Sequence, residues 1–79
     1  MSIKEFIKFK RAEVKLTQPE LAEKAGVGLR FIRDLEQGKK TVRMDKVNQV
    51  LWLFGAELGP VNINRDLLLE KIEKAAIHP

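Results

Sequence analysis

The sequence predicts an all-α fold of five helices, with one short extended segment before the last helix. Three observations carry that expectation. Apolar residues recur at helical i, i+3, i+4 steps along most of the 79-residue chain. Thr17-Gln18-Pro19-Glu20 has the form of a capping box, in which a hydroxyl and a carboxylate satisfy each other's backbone amides at a helix start. Gly26, Gly38 and Gly55 each follow a periodic segment, where helices commonly stop.

The elements follow in order. Ser2 is placed to cap a first helix built on Ile3, Phe6 and Ile7, with Val14 and Leu16 extending its apolar set. The chain must turn between Val14 and Leu16, so Lys15 is expected in the strained C-cap conformation usually given to glycine. A second helix spans about 18–25, with Pro19 in the first turn, where a missing N–H costs little. A third spans about 28–37. The fourth, about 43–54, shows Met44, Val47, Val50, Leu51 and Phe54 on one face. Between Ala56 and Ile63, the residues Leu58, Val61 and Ile63 favour a strand. Gly59-Pro60 interrupts it, leaving at best a bent edge strand. Asn64 can cap a fifth helix, about 65–76, carrying Leu67, Leu68, Leu69, Ile72, Ala75 and Ala76.

Composition narrows the function. With 44% apolar residues the chain has material for a core, and at 79 residues it is one small domain. A fold this short buries only about 60–65% of its unfolded surface, so a second copy would help it. The sequence has no cysteine, and its one histidine, His78, stands one residue from the end. Disulfides, thiol nucleophiles, His-based triads and clustered metal ligands are therefore not expected, nor is a cofactor. The longest apolar run, Val50 to Phe54, is five residues, against the roughly 20 of a membrane helix. The first ten residues lack the pattern of a secretory signal. The expectation is a soluble, cytoplasmic protein that is not an enzyme. Residues 1–46 hold 12 of the 15 basic side chains against seven acidic ones, and the remainder holds three against four. That imbalance points to a polyanion partner for the N-terminal part, or to solvated lysines on helix surfaces.

Two short helices meeting at Gly26 have the geometry of a helix-turn-helix. Ala22 is small where the helices must touch, and Val27, Ile32 and Leu35 are apolar where the second docks on the first, over Leu21 and Ala25. An ordinary helical hairpin is the plain alternative.

The run T-Q-P-E-L-A-E-K-A-G-V followed by I-R-D-L-E-Q-G-K resembles the Xre/Cro-type helix-turn-helix domains of bacterial and phage repressors, over about residues 3–55. The fold this implies is the lambda-repressor-like DNA-binding domain. The longer run G-V-G-L-R-F-I-R-D-L-E-Q-G-K-K-T-V-R-M-D-K-V is similar to a narrower branch, the HipB-type antitoxins, which repress their own operon and hold a HipA-type kinase toxin. The resemblance implies that the helix from Gly28 is a recognition helix in the major groove of double-stranded DNA. Its base-contact positions fall on Gly28, Leu29, Arg30, Arg33 and Asp34. Arg30 and Arg33 suit guanine O6/N7, Leu29 suits a thymine methyl, and Asp34 suits a cytosine amino group or an arginine to orient. Leu29 and Phe31 belong either to this surface or partly to the core. Phosphate-contact positions fall on Gln18 and on Lys39, Lys40, Thr41 and Arg43. The resemblance also implies a structural ion pair between Arg11 and Glu36.

Phe9 and Trp52 fall where periodicity places them in solvent, which suggests an interface. Residues 1–55 are expected to form the DNA-binding domain, and 56–79 a tail for dimerisation or partner binding. The dimer surface is assigned to Trp52, Leu58, Val61, Ile63, Leu68 and Ile72, or these residues are extra core beneath the last helix. The expected function is a homodimeric repressor on a palindromic operator, antitoxin to a HipA-type toxin. The alternatives are a stand-alone Xre-family regulator and a helix-turn-helix interaction module that does not bind DNA.

Overall fold

Helix boundaries follow local chemistry. The computed structural model describes residues 1–77, so His78 lies outside the described residues. Helix α1 (Ile3–Glu13) starts at Ser2, whose hydroxyl accepts from the Glu5 amide at 3.3 Å. Helix α2 (Gln18–Ala25) starts at Thr17 with both halves of its capping box formed. The Glu20 amide donates to Thr17 Oγ1 at 3.2 Å, and the Thr17 amide donates to Glu20 Oε1 at 2.9 Å. Helices α3 (Leu29–Glu36), α4 (Met44–Trp52) and α5 (Arg65–Ile77) complete the five expected. Helices α3 and α4 are slightly shorter than their periodicity suggests. Gly28 and Arg43 serve as N-caps, and after Trp52 the chain tightens into a turn through Leu53 and Phe54.

The first four helices stop by one device. In each, a residue at positive φ reverses the chain and the next amide reaches back to a carbonyl five residues earlier. Leu16 donates to the Arg11 carbonyl, Val27 to that of Ala22, Lys39 to that of Asp34 and Ala56 to that of Leu51, all at 3.0 Å. The reversing residues are Lys15, Gly26, Gly38 and Gly55. Lys15, at φ 59°, is the one non-glycine at positive φ among the described residues, as its sequence context predicts. A side chain there costs roughly 1 kcal/mol against the backbone.

The core lies where α1 to α4 converge: Ile7, Leu21, Ala22, Ala25, Ile32, Leu35, Val47, Val50 and Leu51 are buried. Phe6 and Phe54 close one side edge-to-face, with ring centroids 6.4 Å apart. Ala56 and Leu58, assigned to the tail by sequence, also pack against this core, and the Leu58 amide donates to Asn48 Oδ1 at 2.8 Å.

The short β-segment expected between Ala56 and Ile63 is not a strand: no strand forms among the described residues. An edge strand needs a partner ladder, and an all-helical chain offers none. The Leu58 N–H goes to a side chain instead. No described residue of α5 joins the core, and Leu69 and Ile72 on it remain exposed. No described helix is long and apolar enough to cross a membrane.

Candidate nucleic-acid interface

Helix α3 is fixed from three sides. Its inner face buries Ile32 and Leu35 over α2, where Ala22 allows close approach. Helix α4 supports the turn, because Gln49 Nε2 donates to the Ala25 carbonyl at 3.2 Å. The third restraint is ionic. Glu36, at 3% exposure, is the one buried charged residue among those described. Arg11 meets it with two hydrogen bonds, Nε to Oε2 at 2.8 Å and Nη2 to Oε1 at 2.9 Å. Arg11 Nη1 also donates to the Leu16 carbonyl at 3.0 Å, and Gln18 Nε2 donates to Glu36 Oε1 at 3.3 Å. Hydrogen bonding to the Glu36 carboxylate raises the Arg11 pKa against the opposing effect of burial, so the guanidinium stays charged. Arg11 and Glu36 thus pair as the resemblance implies. Gln18, expected at a phosphate, directs its side-chain amide inward to this network.

The outer face of α3 is polar. Arg30, Arg33, Asp34 and Gln37 follow one another at i, i+3, i+4, i+7 steps and line a shallow depression of about 230 Å³. The Arg30 side chain is 90% exposed, and Arg33 is exposed beside it. Asp34 is half-buried between Arg30 Nε at 3.9 Å and Lys39 Nζ at 3.5 Å. Gly28 is the N-cap of α3 and its missing Cβ would meet nothing within 4 Å, so the backbone there is open to close approach. Leu29 and Phe31 are half-buried against the core, so most of each side chain is committed to packing.

The loop after α3 continues this surface. Lys39, Lys40, Thr41 and Arg43 are all exposed. Lys4 of α1 joins them: a Cβ on Gly38 would stand 3.1 Å from its side chain, and it shares a surface hollow with Lys39 and Lys40. Arg43 is held by Asp45 through Nη2–Oδ2 at 2.6 Å and Nε–Oδ1 at 3.1 Å. Those hydrogen bonds raise the Arg43 pKa and lower that of Asp45. A basic face therefore runs from Arg30 to Arg43, with two carboxylates set within it.

The residues assigned to a dimer surface divide. Trp52, Val61, Ile63 and Ile72 are exposed, as is Phe9. Leu58 is half-buried against its own core. Leu68 falls on α5 with a side chain outside those described.

Sequence reading missed Gln37, Asp45 and Lys4. The i+7 spacing from Arg30 was a signal for Gln37. Nothing local marks Lys4, which reaches the loop only through the packing of α1 on α3.

The helix-turn-helix family matches residues 7–58, more than half of the chain and the stretch from the first buried residue of α1 to the last residue packed on the core. An uncharacterised HTH-type transcriptional regulator of Sinorhizobium fredii, y4mF, is 52% identical over 52 residues, which is 66% of this chain and 68% of that protein. The paired helices, the glycine turn and these two likenesses agree: the chain belongs to the Xre-type helix-turn-helix family.

Proposed function

We propose that this protein is a cytoplasmic, sequence-specific DNA-binding transcriptional repressor that places α3 in the major groove. One observation carries the reading. A helix clamped by the Arg11–Glu36 pair and by buried Ile32 and Leu35 turns two exposed guanidinium groups, Arg30 and Arg33, outward from the same face. Arginine forks suit guanine edges, and the lysines and arginine after the helix suit the flanking phosphates. The likeness to an HTH-type transcriptional regulator supports the same reading.

Repressors of this geometry act as two-fold dimers with recognition helices about 34 Å apart. The exposed Trp52, Val61, Ile63 and Ile72 supply apolar surface for pairing. Within this reading, the run from Gly26 to Val47 supports the autoregulating antitoxin of a HipA-type kinase toxin as the biological role.

The test is retardation of DNA from the protein's own promoter across a salt series, with unrelated DNA as control. Selective, salt-sensitive retardation is expected. No retardation of either DNA at low salt overturns the reading in favour of a protein-interaction module. Co-purification with the product of a kinase-like gene directly downstream tests the antitoxin role.

A further inference from the structure

The basic face carries a carboxylate beneath two of its cations. Asp34 directs Oδ1 to Arg30 Nε at 3.9 Å and Oδ2 to Lys39 Nζ at 3.5 Å, so one carboxylate spans a cation on the helix and a cation in the loop. The Lys39 amide also donates to the Asp34 carbonyl at 3.0 Å, which fixes the lysine's backbone to the same residue. The Asp34 side chain is 23% exposed, against 90% for Arg30 and 52% for Lys39, so the anion sits beneath its two partners.

Asp34 caps no helix and accepts from no backbone amide. It lies in the last turn of α3, where the helix dipole disfavours a negative charge. Helix stability therefore gives little reason for an acid here, since the i, i+4 pair with Arg30 contributes little and the helix end opposes it. Among the described residues Arg33 and Lys40 have no ion-pair partner, so the carboxylate acts on some cations of the face and not on others.

The chemistry of the approaching ligand decides the effect. A phosphate presents only acceptors. A phosphate that takes Arg30 or Lys39 must share the cation with Asp34 and come near a like charge. A base-pair edge presents donors beside acceptors, so it can engage the arginine while an amino group faces the carboxylate. We infer that Asp34 is a specificity-determining positioning residue: it holds Arg30 and Lys39 as internal counter-ions and so suppresses binding to DNA of arbitrary sequence. The inference rests on the proposed DNA-binding function.

The experiment compares wild type, Asp34→Asn, Asp34→Ser and Asp34→Glu. Each binds two duplexes across a salt series: one of random sequence, and one selected from a random pool by the wild-type protein. Asp34→Asn and Asp34→Ser are expected to bind the random duplex about three- to tenfold more tightly, with a log–log salt slope steeper by about one, since a freed cation releases about one more counter-ion. Their preference for the selected duplex falls about tenfold, and Asp34→Glu restores it. If both neutral variants shift the two duplexes by the same factor with an unchanged slope, Asp34 is merely structural and the inference is overturned. Unchanged binding to random DNA overturns it as well. Failure of the wild type to bind any DNA is a different result, and removes the functional reading itself.

Discussion

Arg11 and Glu36 meet as parallel hydrogen bonds of 2.8 and 2.9 Å across 25 residues of chain, tying the end of α3 to α1. Glu36 is 3% exposed, so the pair is a condition of burying that face at all. Arg11→Ala strands the carboxylate and is expected to lower stability by about 3 kcal/mol, the lower end for a broken buried pair because Arg11 is partly solvated. Urea denaturation measures it. A loss below about 1 kcal/mol would show that water replaces the guanidinium, whereas Arg11→Lys should recover part of the loss.

Lys15 ends α1 in a conformation that suits glycine. Lys15→Gly relieves the Cβ strain of roughly 1 kcal/mol but gives the unfolded chain about 0.4–1 kcal/mol more freedom. A net gain of at most about 0.5 kcal/mol is therefore expected. Lower stability in the same denaturation assay would mean that the lysine stem contributes packing worth more than the strain.

The two parts of the basic face should respond differently. Arg33→Ala is expected to cost about 1–3 kcal/mol on a selected DNA site and to relax preference at one base position. Lys40→Gln is expected to weaken all DNA about equally and to lower the salt slope by about one. Competition binding with selected and random duplexes separates the two. Identical behaviour of both variants would remove the division between base-reading helix and phosphate-binding loop.

Acid should loosen the start of α2. The Thr17 amide and hydroxyl hydrogen-bond Glu20 and lower its pKa below the usual carboxylate range. A group depressed in the folded state stabilises fully above its unfolded pKa and loses that contribution as the pH falls through the folded value. Wild type should therefore melt higher than Glu20→Gln at neutral pH, with the difference shrinking below the ordinary carboxylate pKa. A difference in melting temperature that stays constant across that range would exclude the ionised capping box as its source.

Assembly is tested by truncation. Ala56 and Leu58 pack on the core, so the informative cut removes residues 59–79 and leaves the helical domain its last contacts. The shortened chain is expected to sediment as a monomer and to lose selective DNA binding, while the intact chain sediments as a dimer at micromolar concentration. A monomeric intact chain that still binds selectively would remove the dimer from the proposal.

Much of this fold was legible because its signals are local. Thr17 and Glu20 lie three residues apart, and Gly26 and Gly38 stop helices through their own backbone. The Arg30–Gln37 face follows helical spacing for the same reason. What was not legible depends on contacts distant in sequence, or on competition for a partner. Alternation around Leu58 suggested a strand, but Asn48, ten residues earlier, takes the Leu58 amide. The Gln18 side chain likewise ties to Glu36, 18 residues later, a contact that no local pattern encodes. The capture of Arg43 by Asp45 depends on how the chain enters α4, which composition does not encode.

Trp52, the single tryptophan, stands exposed at the end of α4 with its indole N–H donated to Glu57 Oε1 at 3.0 Å. Its emission therefore arises from one place, directly beside the segment that leads out of the domain. Docking of anything against that ring dries it and shifts its fluorescence to shorter wavelength. The molecule thus contains its own optical probe for association beside the tail, without an added label.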